Sequence, residues 1–230
     1  MTEAEVGQWA RPEDAAVHAH TGAWVAQVLR ERISEGHLLP GAKLPEAALA
    51  EALAVSRNTL REAFTTLAAE SIVRRVPNRG VFVASPDAED IREVYRVRRM
   101  LEPAALLWGE RWGAPDSPVE RALPALLERI RAAQQAGDGA GMADANQQLH
   151  GAIVAMSGSS TLSTAMDRTL ARMRLVFHGM PDAAEFHARY AARNLELIRL
   201  LREGRREEAA TALRGYLDLA ERELLDHLGH

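Results

Sequence analysis

Residues 44–83 read LPEAALAEALAVSRNTLREAFTTLAAESIVRRVPNRGVFV, and this stretch decides the fold of the N-terminal part of the chain. Its apolar spacing predicts a first helix over residues 46–53 and, after a tight turn, a second helix. Ser56 stands just before the second helix, where its hydroxyl can accept a hydrogen bond from a free backbone N–H as an N-cap. Two strand-like runs, residues 72–76 and 80–83, then flank a basic turn and predict a β-hairpin.

The second predicted helix, which runs to about Glu70, has an apolar face and a polar face. Its apolar residues recur every three or four positions and are Leu60, Phe64, Leu67 and Ala68. Its polar face carries Arg57, Arg61 and Thr65, with Asn58 and Thr59 in the first turn. Because Arg can form two hydrogen bonds with guanine and Asn can do so with adenine, this pattern is typical of a helix that reads the major groove.

The charge of this region supports the same interpretation. Residues 56–80 contain five Arg and two Glu, a local charge of +3 in a chain with a net charge of −4. A basic segment within an acidic protein favours contact with DNA at one end only. The predicted DNA contacts are Ser56, Arg57, Asn58, Thr59, Arg61, Arg75, Asn78, Arg79 and Gly80. A helix–turn–helix packing unit with a solvated basic face would give a similar pattern.

The order and spacing of these residues resemble the winged helix–turn–helix of the GntR family of bacterial transcription regulators. The matching positions are Leu38, Pro40, Gly41, Leu44, Leu49-Ala50, Val55-Ser56-Arg57, Arg61-Glu62-Ala63, Leu67, Arg79-Gly80 and Val83. The resemblance implies a homodimer that binds double-stranded operator DNA, with a palindromic pair of half-sites. Ala54 replaces the glycine usual in the turn between the helices, so we expect that turn to avoid positive φ.

From Asp87 onward the sequence predicts only helices, joined by short loops, which indicates an antiparallel bundle. The predicted helices span residues 87–112, 119–136, 140–156, 161–178, 183–203 and 205–228. The fold class is therefore mainly α: a winged helix–turn–helix domain followed by an all-α bundle. We expect a flexible N-terminal arm over residues 1–20, a DNA-binding domain over 21–85 and a helical domain over 87–230.

The helical part resembles the FCD ligand-binding domain of the FadR-like GntR subgroup. The match is carried by Val94-Tyr95-Arg96-Val97-Arg98, Leu101-Glu102-Pro103, Leu149-His150, Ser157-Gly158, Leu197-Ile198, Leu200-Leu201, Gly204 and Ala209-Ala210. The resemblance implies that this domain binds a small organic effector and forms the dimer. It also implies a ligand-responsive regulator, which we expect to be a repressor.

Many FCD domains hold a divalent metal with one Asp and three His. The resemblance places those positions at Asn146, His150, Asn194 and Tyr216, so one of the four ligands remains. Two amides, a phenol and one imidazole are a poor zinc site, and we therefore predict no metal and no other cofactor. The alternative is a weaker ion held by His150 and His187.

These polar positions predict a polar pocket that binds an organic effector, or ordered water, directly. The predicted effector-binding residues are Arg98, Asn146, His150, Asn194 and Tyr216. Arg98 either pairs with a carboxylate of the effector or forms a salt bridge with Glu102 one turn on. A carboxylate is therefore the expected effector class.

Composition narrows the class of protein further. The chain has 230 residues and no cysteine, which excludes disulfides, thiolate zinc sites and cysteine nucleophiles. Its first residues are acidic without an apolar leader, and no apolar run approaches a membrane span, so we expect a cytoplasmic protein. The common nucleotide-binding and hydrolase motifs do not occur, and we predict no enzyme activity. The alternative is a helical-bundle sensor or enzyme whose winged domain contacts protein.

Overall fold

The computed structural model describes residues 21–113, 117–180 and 182–228, so the arm predicted for residues 1–20 lies outside the described residues. The chain forms two compact units. One ends at Pro86 and also includes Arg174–Gly179, and the other contains the rest of the helical part. None of the described helices is long and apolar enough to cross a membrane.

The first unit combines three helices with a small antiparallel sheet. The elements in chain order are α1 (Gly22–Ser34), β1 (Lys43–Leu44), α2 (Glu46–Ala52), α3 (Arg57–Ala69), β2 (Val73–Val76) and β3 (Gly80–Val83). The strand order is β1-β3-β2, with Leu44 opposite Val81 and Arg75 opposite Val81 on the other side. This arrangement confirms the predicted winged helix–turn–helix and adds strand β1, which the sequence did not predict.

Helix α3 has the two faces that its sequence predicts. Leu60, Phe64 and Leu67 are fully buried, and α3 packs against α1 and α2. Burying side chains of this size stabilises the unit by about 1.5–3 kcal/mol each. Ser56 caps the helix as predicted, because its Oγ accepts a hydrogen bond from the backbone N–H of Thr59 at 3.0 Å.

The turn between α2 and α3 differs from the prediction. Ala54 has φ 52°, so the turn keeps the left-handed conformation although the residue is not glycine. The N–H of Ala54 donates to the carbonyl of Glu51, and the N–H of Val55 donates to the carbonyl of Ala50. These are the two bonds of a Schellman motif, which require a left-handed residue at this position. The end of α2 therefore imposes the conformation, and Ala adopts it at a cost.

The second unit is a bundle of six described helices. Their bounds are α4 (Ala88–Trp108), α5 (Pro118–Ala136), α6 (Gly139–Ala155), α7 (Ser160–His178), α8 (Ala183–Arg202) and α9 (Arg206–His227). Asp87 and Asp90 form a capping box that begins α4. Helix α4 packs against α6 and α9, and α6 packs against α5 and α8. The predicted all-α bundle is confirmed, and its polar centre lies between α4, α6, α8 and α9.

We predict that Ala54→Gly stabilises the first unit by about 0.5–1 kcal/mol. Relief of the left-handed strain contributes about 1–2 kcal/mol, and the greater entropy of unfolded glycine offsets part of it. The matched control is Ala52→Gly at the last residue of α2, which should destabilise by about 0.5–1 kcal/mol. Urea unfolding measures both variants. A loss of stability in Ala54→Gly would contradict the strain at this turn.

Candidate DNA-binding surface and candidate effector site

The polar face of α3 presents several predicted contact residues to solvent. Arg57, Asn58 and Arg61 are exposed. The Asn58 amide donates to Glu62 Oε1 at 3.2 Å, within the same helix. The hydroxyls of Ser56 and Thr59 lie 2.8 Å apart and bond to each other. The first turn of α3 is therefore a polar, ordered and accessible surface.

The turn between β2 and β3 forms the wing, here defined as residues 73–83. Asn78 has φ 59° and Gly80 has φ 106°, a conformation that favours glycine at the second position. The Arg79 guanidinium carbon lies 5.8 Å from the ring centroid of Phe82, within cation–π distance. Asn78, Arg79 and Gly80 are all exposed, so the basic tip of the wing is accessible to DNA.

Arg75 links the wing to helix α3, the predicted recognition helix. Its Nη2 donates to the backbone carbonyl of Arg61 at 2.9 Å and to Thr65 Oγ1 at 2.7 Å. This side chain was predicted to contact DNA, and the structure shows that one end of its guanidinium already bonds to α3. The contact fixes the position of β2 relative to α3, and the remaining N–H groups of Arg75 stay available to a phosphate.

Six buried polar side chains of the second unit are linked one to the next by hydrogen bonds, and we call this set the polar chain. Its members, in order of contact, are Arg98, Glu102, His150, Tyr216, Asn146 and Asn194. They come from α4, α6, α8 and α9, and each is less than 9% exposed. All five predicted effector-binding residues belong to the polar chain, and Glu102 joins them at one end.

Glu102 binds two of these groups at once. Its Oε1 accepts from Arg98 Nε at 2.7 Å, and its Oε2 lies 2.6 Å from His150 Nδ1. Burial alone would raise the pKa of Glu102, but Arg98 and His150 outweigh burial and keep that pKa below its usual value. Burial lowers the pKa of His150, so the imidazole is neutral at pH 7 while Arg98 and Glu102 carry opposite charges.

In the middle of the polar chain, two acceptors compete for the hydroxyl hydrogen of Tyr216. The Tyr216 hydroxyl donates to Asn146 Oδ1 at 2.7 Å and lies 3.3 Å from His150 Nε2. Burial raises the pKa of Tyr216 well above its usual value, so the phenol keeps its proton. With Nδ1 of His150 protonated toward Glu102, Nε2 carries a lone pair. The shorter bond to Asn146 leaves that lone pair weakly satisfied.

Two further atoms of the polar chain have no hydrogen-bond partner among the described residues. They are the Nη2 of Arg98, a cationic donor, and the Oδ1 of Asn194, an acceptor. The Arg98 guanidinium also lies over the ring of Tyr95, 5.0 Å from its centroid. Because buried polar atoms are normally paired, these two atoms are candidate contacts for a bound molecule.

Comparison with known proteins identifies the family. A model of the "Bacterial regulatory proteins, gntR family" matches residues 21–83, and an FCD domain model matches residues 93–219. This chain belongs to the GntR family of regulators and carries an FCD domain. The polar chain therefore lies in the FCD domain, and the exposed face of α3 lies in the GntR DNA-binding domain.

Individual GntR regulators resemble the chain over most or part of their length. A transcriptional regulator GntR from Rhodococcus sp. RHA1 has 36% identity, a TM-score of 0.81, and covers 89% of this chain and 97% of its own. An HTH-type regulator from the TAR-I ttuE-ttuC' intergenic region of Agrobacterium vitis is 32% identical over 131 residues, 55% of this chain and 75% of its own. The galactonate operon transcriptional repressor of Escherichia coli K12 is 32% identical over 121 residues, 43% of this chain and 53% of its own.

The polar chain does not fit the divalent metal known from other FCD domains. Both nitrogens of His150 face polar partners, and Tyr216 keeps its proton. The described residues contain no group of three or more His, Asp or Glu side chains that could hold a metal ion. His187 is buried beside Phe186 and does not complete such a group with His150. The carboxamide groups of Asn146 and Asn194 and the neutral phenol of Tyr216 are weak ligands for zinc.

Glu102 is the member of the polar chain that the sequence did not place in the candidate site. Its spacing of four residues from Arg98 predicted their salt bridge as one of two roles for Arg98, and the structure contains that bridge at 2.7 Å. The contact with His150 joins residues 48 positions apart and has no local sequence signal. Only the packing of α4 against α6 brings these two side chains together.

We predict that Glu102→Gln destabilises the FCD domain by about 3–5 kcal/mol, because it leaves the Arg98 guanidinium buried without its carboxylate. Replacing both groups in Arg98→Met with Glu102→Gln should restore at least half of that loss. The matched control is Glu93→Gln, a half-exposed Glu of α4 paired with Arg96, whose loss should change stability by less than about 0.5 kcal/mol. Denaturant unfolding measures all three. Wild-type stability in Glu102→Gln would contradict the role assigned to this carboxylate.

Proposed function

We propose that this GntR regulator is a repressor whose affinity for a palindromic operator changes when a small hydroxylated carboxylate binds the polar chain. Residues 21–85 bind DNA, and residues 87–230 bind the effector and form the homodimer. The observation that carries the proposal is the set of buried atoms in the polar chain that lack strong hydrogen-bond partners. The other unit of the protein presents the exposed polar face of helix α3.

The DNA-binding role rests on the exposed basic surface of the first unit. Arg57 and Arg61 lie one turn apart on the exposed face of α3 and are suited to base edges, whereas Arg79 at the wing tip is suited to a phosphate. Ser56, Asn58 and Thr59 surround the N-terminus of α3, where backbone N–H groups favour an anion. Asn78 and Gly80 shape the turn that carries Arg79.

The effector class follows from the chemistry of the three weakly satisfied atoms. Arg98 Nη2 requires an acceptor, and a carboxylate is the acceptor that best matches a guanidinium. Asn194 Oδ1 and His150 Nε2 require donors, which hydroxyl groups of the same molecule would supply. The name of the related galactonate operon repressor, which refers to a hydroxylated carboxylate, agrees with this class.

The polar chain is buried and its members bond directly to one another, so we expect an effector to replace at least one of these bonds. The long contact between His150 and Tyr216, at 3.3 Å, is the weakest link and the expected point of entry. An effector that separates α6 from α9 at this contact would change the bundle. It changes operator affinity only if the two forms of the bundle bind DNA unequally.

Dimerisation completes the proposed mechanism. One winged domain reads a short half-site, so specific binding requires two copies related by a two-fold axis. Met100 and Trp108 on α4 are 73% and 75% exposed, the highest values for any large apolar residue in the described part of the chain. Covering such residues against a second copy is favourable. Binding to chromosomal DNA also requires that the protein act in the bacterial cytoplasm.

We predict that Arg57→Ala and Arg61→Ala each weaken specific operator binding by about 1–3 kcal/mol, because each removes a base contact. Arg79→Ala should weaken binding to all sequences more evenly and reduce its salt dependence. The control is Arg131→Ala, which removes an exposed Arg from the FCD domain. Fluorescence anisotropy with a duplex selected from a random library measures these changes. Wild-type affinity in both α3 variants would show that the recognition helix is assigned wrongly.

We predict that a hydroxylated carboxylate from a panel of sugar acids raises the melting temperature of wild type and changes its operator affinity. The increase should be much smaller in a His150→Ala, Asn194→Ala double variant, because the two acceptors are removed. Measurements are made in chelator, since the polar chain does not fit a metal. If the response required added zinc, or persisted unchanged in the double variant, the proposed site would be wrong.

A further inference from the structure

Arg61 is held by a carboxylate from the neighbouring helix. Its Nε lies 2.7 Å from Oε1 of Glu46, the first residue of α2, although Arg61 remains 62% exposed. The backbone carbonyl of Arg61 also accepts a hydrogen bond from Arg75 on the wing. Side chains from both flanking elements therefore bind the same residue of the recognition helix.

The geometry of a guanidinium explains what this contact does. Arg offers two pairs of N–H groups for bidentate bonds, one along the Nε side and one at the Nη end. The ion pair with Glu46 is made at Nε, and among the described residues no side chain pairs with the Nη groups, which stay available to a second acceptor. A guanine presents two acceptors, O6 and N7, that match such an end.

The contact would contribute little to the stability of the free protein. Exposed ion pairs generally add little to stability because water and salt screen them. At a DNA interface the same pair loses water, and an oriented guanidinium loses less conformational freedom when it binds a base. The effect of Glu46 should therefore appear in operator recognition and not in folding.

We propose that Glu46 is a positioning residue that orients Arg61 for operator recognition and so increases specificity. The inference rests on the proposed DNA-binding function and adds to it a residue that does not itself contact a base. A carboxylate beside DNA repels phosphates, so Glu46 lowers affinity for random sequence while it raises affinity for the operator. Its two effects have opposite signs, which separates this role from that of a simple charge.

The test measures binding to two duplexes, one selected from a random library by the wild-type protein and one of scrambled sequence. Glu46→Ala should weaken binding to the selected duplex about three- to tenfold and leave scrambled binding unchanged or tighter. Glu46→Gln keeps the size of the side chain and an oxygen near Arg61 Nε but removes the charge, and it should retain part of the specificity. Glu51→Ala is the matched control, because it removes an exposed carboxylate from α2 without a contact to Arg61.

A double-mutant cycle decides the mechanism. In the Arg61→Ala background, Glu46→Ala should no longer weaken binding to the selected duplex, because there is no guanidinium to orient. If Arg61→Ala weakens specific binding and Glu46→Ala adds to it independently, the positioning role is wrong and the recognition helix stands. If Arg61→Ala has no effect, both the positioning role and the assignment of α3 are wrong. Thermal melting of each variant verifies that the compared proteins are folded.

Discussion

The helical unit depends on one buried carboxylate. Glu102 is fully buried, and it binds the guanidinium of Arg98 and the imidazole of His150 at the same time. A buried ion pair adds little net stability compared with a well-packed apolar pair, but loss of one partner is costly. Arg98, His150 and Glu102 therefore depend on one another as a set. They make the centre of the bundle polar, although an apolar centre would be stable without them. We attribute that character to binding.

The same residues explain why this domain differs from FCD domains that hold a metal. A divalent ion would supply a fixed positive charge at the centre of the bundle and would polarise a bound carboxylate. Here the fixed positive charge belongs to Arg98, and Glu102 limits its freedom through Nε. The unpartnered Nη2 retains a direction in which an anion can approach. Under the proposed function, Arg98 would supply charge recognition from the protein itself.

Much of the fold could be predicted from the sequence because its elements are long and periodic. The helices of the bundle and the Ser56 cap follow from local spacing and capping chemistry. Strand β1 could not be predicted, since two residues carry no periodic pattern and pair only through β3. The left-handed Ala54 was missed because the hydrogen bonds that end α2 override the preference of the residue itself. The candidate DNA contacts follow from the polar face of α3 and its charge, and the candidate effector-site residues follow from family resemblance. The connections through Glu102 and the contact between Glu46 and Arg61 depend on packing between helices.

The central claim is that the polar chain binds the effector through His150, and nitrogen NMR of the imidazole tests it most directly. In the free protein at pH 7, the account predicts a neutral His150 with its proton on Nδ1, assigned by comparison with His150→Gln. A sugar acid that changes operator affinity should shift the Nε2 resonance as a hydroxyl donates to it. A charged imidazolium in the free protein, or an Nε2 resonance that does not respond to such a molecule, would contradict the account.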